Sequence, residues 1–270
     1  MKERPKGRAE IIEVEGDKEI IVVIPTADFN GKYAKECREN IFKGVHIIFV
    51  ESGYPRDPYF NYAHSCNIGI KKAMEYNPKW IVISGDDVIK VDELEILRKE
   101  LYDLDPHVYD YVACTPTTYH SQTDIIAKKN QFYSLYMLFR HRTEGMEIIK
   151  IVKKFKAEYL RIQDKKIYSL FADTKCRIIE NGDFGIYSNN FLKNLDGQLF
   201  DETFINAWEE TELAMRIFVE KRKIARIKFA LSEHFGTSLG TGYARTLRDL
   251  AGQTYFDHKW SSFLGEIERK

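Results

Sequence analysis

Four short apolar runs punctuate the first half of the chain, at residues 20–24, 45–50, 80–84 and 111–115. Each is apolar at nearly every position rather than at alternate ones, which predicts strands buried on both faces. Pro25-Thr26 ends the first run, because proline cannot continue a central strand. Between the runs lie stretches with apolar residues at helical spacing, predicting helices over 31–42, 61–76 and 91–103. Strand and helix alternate, so the predicted fold class is α/β: a Rossmann-like, doubly wound, mostly parallel sheet flanked by helices.

The alternation stops at about residue 120. A helix is predicted over 143–162, where Ile148, Ile151, Val152, Phe155 and Tyr159 fall on one face and Lys150, Lys153, Lys154 and Arg161 lie largely elsewhere. Packing of the apolar stripe on the core is the simpler role; a basic face against a membrane or an anionic acceptor is the sharper one. Downstream the pattern predicts a short helix over 188–195, a helix opened by Trp208-Glu209-Glu210, a strand over 224–231 and a polar loop containing His234. A helical tail follows over 241–250 and 254–267. The expected organisation is a charged leader (1–19), one main domain (20–240) and the tail (241–270). Within the domain, 20–118 forms a first half, 119–176 an insertion and 177–240 a second half.

Composition narrows the function classes. Of 270 residues 44% are hydrophobic, enough for a sizeable core, and 41 basic residues balance 41 acidic ones, which argues against a nucleic-acid partner. The four cysteines form no C-x-x-C pair and are expected to be free buried thiols in a reducing cytoplasm. No run of 18 apolar residues occurs, so no transmembrane segment is expected, and membrane contact could only be peripheral.

The candidate chemistry centres on Asp86-Asp87, which an apolar run delivers into a turn. Adjacent carboxylates at a strand's carboxyl end can hold a divalent cation, and the cation a diphosphate. The same pair could equally make a turn or cap the following helix. Two observations favour a site. No G-x-G-x-x-G follows the first strand and no G-x-x-x-x-G-K-[ST] occurs, so a bound diphosphate would need a metal. Ligands of such sheets bind beyond the carboxyl ends of the strands, which would gather Thr26, Glu51 and Asp86-Asp87.

The ordered set of parts resembles the family 2 glycosyltransferases with a GT-A fold, especially the branch related to rhamnosyl transfer. The matching pieces are Ile24-Pro25-Thr26, Val50-Glu51-Ser52-Gly53, Asn67 with Gly69, Ser84-Gly85-Asp86-Asp87-Val88, Gly182 to Gly185, Gly197 with Phe200-Asp201-Glu202, Trp208 to Leu213, and His234 with Gly236 and Ser238. The resemblance implies an inverting, metal-dependent transfer from a nucleotide-sugar donor to a glycan, lipid-linked or protein acceptor. Asp87 would bind Mg²⁺ or Mn²⁺, Asp86 would contact ribose or metal, Glu51 and Thr26 would line the nucleotide pocket, and His234 would sit near the metal or diphosphate. The general base would be Glu210 or Glu209. Two positions depart from the family pattern, since aspartate is usual where Glu210 and Glu51 stand. Two other functions fit a similar core: a sugar-phosphate nucleotidylyltransferase, and a non-catalytic nucleotide-sugar-binding module.

Overall fold

A computed structural model describes residues 5–53, 57–114, 121–129, 172–180, 184–233 and 243–263. The chain divides into two compact units, one of residues 1–122 and 179–235, the other of 123–178 and 236–270.

The first unit is α/β. Its strands are β1 (Glu10–Val14), β2 (Asp17–Thr26), β3 (Val45–Glu51), β4 (Trp80–Ser84), β5 (Val88–Lys90) and β6 (Tyr111–Ala113). After the excursion into the second unit come β9 (Phe184–Ser188), β10 (Ile224–Arg226) and β11 (Leu231–Glu233). Seven of these form one sheet in the order β1-β3-β2-β4-β9-β6-β10. The predicted strands at 20–24, 45–50 and 80–84 are all present and pair in parallel, β3 with β2 and β2 with β4. The sheet is nevertheless mixed, not the mostly parallel sheet expected. β1, drawn from the charged leader, runs antiparallel to β3, and β9 runs antiparallel to both β4 and β6. Glu10, Glu13 and Glu15 hide the edge strand from a reading based on apolar runs.

Alternate residues of the central strands face opposite layers. Ile20, Val22, Ile24, Ile47, Phe49, Trp80 and Val82 share one core cluster with Ala34, Cys37, Phe42, Leu97 and Leu101. That layer is built by α1 (Lys32–Glu36), a π-helical turn at Cys37–Ile41, and α3 (Leu94–Tyr102). Ile21, Val23, Ile48, Val50, Ile81 and Ile83 share the other cluster with Ala63, Cys66, Ile70, Phe191, Leu213 and Ile217. This second layer comprises α2 (Tyr62–Met74), α4 (Asn189–Lys193) and α5 (Glu209–Val219). α2 lies close on the sheet at Gly69, where an added Cβ would clash with Val23 and sit 2.9 Å from Val50 Cγ2. Cys37, Cys66 and Cys114 are free and buried, as expected.

The predicted strand over 224–231 is two strands in different sheets. β10 pairs with β6, while β11 pairs antiparallel with β5, setting Glu233 opposite Val88. The second unit contains the two-stranded sheet of β7 (Ser121–Lys129) and β8 (Ala172–Glu180), and a helix, α6 (Tyr243–Lys259). α6 runs through the break expected between two tail helices. The helix predicted over 143–162 lies outside the described residues. No helix among the described residues is long and apolar enough to cross a membrane.

Candidate functional site

β2 lies between β3 and β4, the chain passing from β2 to β3 on one side and then from β3 across to β4 on the other, and ligands of α/β sheets bind in the crevice outside the carboxyl end at such a reversal. Three of the expected residues meet there. Thr26, the last residue of β2, is paired in register with Glu51, the last residue of β3. Thr26 Oγ1 donates to Asp86 Oδ2 at 2.7 Å across a sequence separation of 60. Thr26 is itself fixed, its hydroxyl accepting from the Asp28 amide at 3.3 Å and its carbonyl accepting from the Ser52 amide at 2.9 Å. One strand end therefore orients the acid delivered by another.

Asp86 and Asp87 do not cap a helix. α3 begins at Leu94, with Glu93 as its N-cap, and β5 intervenes. Asp92, nearer that helix, pairs with a distant segment, its carboxylate accepting from the Ala230 amide at 2.8 Å. Asp87 is only 8% exposed. Burial, with a smaller contribution from the charge of Asp87, pushes the Asp86 carboxyl up to about 6, against the opposing hydrogen bond from Thr26. The Cys37 thiol donates to the Asp86 carbonyl at 3.4 Å, and burial followed by the two aspartates holds that thiol in its neutral form. The pair sits, largely buried, in the bend between β4 and β5, and such an arrangement of carboxylate oxygens can hold a cation. Among the described residues no three His, Cys, Asp or Glu side chains converge as a metal-ligand group.

Glu51 is anchored at both oxygens. The Phe29 amide donates to Oε2 at 2.9 Å, and the Arg8 guanidinium lies 3.4 Å from Oε1. Arg8 belongs to the leader and had no expected role.

Glu209 and Glu210 occupy the first turn of α5, and their environments separate them. Trp208, the N-cap, is held at φ 75°, ψ 0° and makes no side-chain cap bond, a left-handed conformation rare for a bulky residue. Glu209 is 2% exposed, whereas Glu210 is half-buried. Glu212, also buried, pairs with Arg216 at 3.6 Å, and Arg216 donates to the Leu199 carbonyl. That glutamate serves the helix start. Burial first, and the charge of Glu210 next, hold the Tyr187 hydroxyl firmly protonated. Gly185 leaves room for the Tyr187 ring to fold back over it, and Gly185 pairs with Ile83, three residues before Asp86. His234 lies outside the described residues, and it follows Glu233, whose backbone pairs with Val88 beside Asp87.

A polar cluster between α2 and the segment before α5 escaped the sequence reading. Asn67 accepts from the Phe200 amide at 3.0 Å and donates to the Phe200 carbonyl at 2.9 Å and to Glu202 at 3.1 Å. Asn61 caps α2 and donates to the carbonyls of Glu202 and Phe204, while Asn206 bonds to the backbone of Phe60 and Tyr62. His64 Nδ1 lies 3.0 Å from Glu202 Oε2, and Lys6 2.9 Å from the same oxygen. Burial alone would raise the Glu202 carboxyl, but the bonds from Lys6 and Asn67 and the charge of His64 outweigh it and hold the group below the usual glutamate range. The Asn67 and Glu202 motifs were visible in the sequence; their contact, across 135 residues, was not. No known family model matches the chain, and no curated protein matches it either.

Proposed function

We propose that the protein is an inverting glycosyltransferase of the GT-A type, similar to the rhamnosyl-transfer branch of family 2, acting on a nucleotide sugar. The observation that carries this reading is the Thr26–Asp86 hydrogen bond of 2.7 Å, which ties the largely buried acid pair of the β4–β5 bend to the carboxyl edge of β2. The residues fit a hard divalent cation: Asp86 and Asp87 offer only oxygen donors, and burial has made ionisation of Asp86 costly, a cost a cation would offset. Asp87 would hold Mg²⁺ or Mn²⁺, with Asp86 beside it and His234 near the metal or diphosphate as the resemblance implies. When bound, the metal supplies positive charge against the leaving diphosphate.

The chain's own residues do the rest. Thr26 and Glu51 line the nucleotide pocket from the ends of β2 and β3. Glu210 is the base, removing the acceptor's hydroxyl proton as that oxygen attacks the anomeric carbon from the face opposite the diphosphate. A single displacement of this kind inverts the configuration. Half-exposure favours Glu210 over Glu209 for the task, since a base must reach the acceptor and Glu209 is 2% exposed.

A thermal-shift screen of nucleoside diphosphates and their sugars with Mn²⁺ tests the reading. A ligand at one hundred times its Kd adds about 2.7 kcal/mol to the native state. That corresponds to a rise of roughly 5–10 °C for a domain of this size. Absence of a shift with every nucleotide contradicts the proposal.

A further inference from the structure

We propose that Arg8 and Glu51 together read the donor's base, and that they select guanine. The inference rests on the donor-site reading above and adds the chemical class of the nucleotide. Glu51 borders the crevice beside Thr26, and its side chain is 16% exposed while that of Arg8 is 52% exposed. Arg8 is delivered there by the leader rather than by chance proximity. Its backbone amide donates to Asp57 Oδ2 at 3.0 Å, Lys6 pairs with Glu202 at 2.9 Å, and Gly7 lies so close to the loop after β3 that an added Cβ would sit 2.8 Å from the Tyr59 carbonyl.

The two side chains are chemically complementary, and so is the edge they would meet. A carboxylate only accepts hydrogen bonds and a guanidinium only donates them. Guanine presents two adjacent donors, N1–H and the N2 amino group, next to the acceptors O6 and N7. The donors match Glu51 and the acceptors match the arginine fork. Uracil and thymine offer the carboxylate one donor. Adenine and cytosine place an amino group where guanine has its keto oxygen, so donor would face donor at Arg8. Arg8 Nη2 is held most closely by Glu10 on β1 and lies 3.4 Å from Glu51; the arginine is largely exposed, so its remaining guanidinium N–H groups can turn onto a base beside the Glu51 carboxylate.

The test is calorimetric titration of the full chain with GDP, UDP, dTDP, CDP and ADP in Mn²⁺. GDP is expected to bind tightest. Arg8→Ala is expected to weaken GDP tenfold or more, the size of a lost hydrogen bond to a charged group. UDP should stay within threefold and the unfolding midpoint should not move, because an exposed ion pair contributes little to stability. Arg8→Lys should not restore GDP binding, since a point charge lacks the fork. Equal or tighter binding of any other nucleotide, or a GDP Kd within threefold in Arg8→Ala, overturns the assignment. Failure of every nucleotide to bind the wild-type protein overturns the donor-site reading beneath it as well.

Discussion

Replacing Asp86 with asparagine should make the metal-free protein more stable at neutral pH. Burial moves the Asp86 carboxyl from its ordinary 3.8 up to about 6. Ionising it inside the fold therefore costs about 3 kcal/mol more than in the unfolded chain. The sign follows from linkage: a group whose folded value is raised contributes its full stability below 3.8 and loses it as pH rises through about 6. Wild type thus carries the whole cost at pH 7.5. Asparagine keeps an oxygen to accept from Thr26 but loses the charge that strengthens the bond, a loss of about 1 kcal/mol. The net expectation is a gain of about 1–2 kcal/mol at pH 7.5 that shrinks towards zero by about pH 4.5. Urea unfolding in EDTA, followed by circular dichroism at both pH values, measures it, with the denaturant slope unchanged. If Asp86→Asn instead loses about 1 kcal/mol or more at pH 7.5, as removal of a cap would, the acid pair is structural and the argument for a site falls.

Three further outcomes follow from particular contacts. Asn67→Ala strips partners from the Phe200 amide and carbonyl and from Glu202, and should lower stability by about 3–5 kcal/mol in urea unfolding; a loss under 1 kcal/mol would mean water replaces the amide without penalty. The Glu202 carboxyl is depressed, so its contribution is present above the ordinary 4.5 and is lost as pH falls below it; Glu202→Gln should flatten the acid limb of the stability curve there, and an unchanged limb would contradict the Lys6–Asn67–His64 account. Glu210→Gln should lower kcat by about 100-fold or more while the nucleotide Kd stays the same, and turnover within a few fold of wild type would remove it as the base.

The parts of this fold that the sequence made legible are those whose signal is local. β2, β3 and β4 are apolar at nearly every buried position, Thr26, His46 and Ser84 excepted, because helices cover both sheet faces, and the acids that follow such runs must emerge at the carboxyl edge. Glu51 and Asp86 could be placed together for that reason. β1 and β9 were hidden by opposite effects: β1 is an edge strand rich in glutamate, and β9, with Gly185 at its second position, reads as loop. Their antiparallel pairing turned an expected mostly parallel sheet into a mixed one. The residues missed around the site, Arg8, His64 and Asn206, gain meaning only from partners 43, 138 and 146 positions away. No periodicity or motif spacing encodes such pairs; they follow from which loops the topology brings to one edge.

The central claim is metal-assisted transfer from a nucleotide sugar through Asp87. Its most direct test is release of nucleoside diphosphate from a panel of nucleotide sugars, measured with Mn²⁺ and with EDTA for wild type and Asp87→Asn. The expected result is release by the wild-type protein that EDTA abolishes and that Asp87→Asn reduces by about 100-fold or more. No release from any nucleotide sugar, or release that persists undiminished in Asp87→Asn, would contradict it.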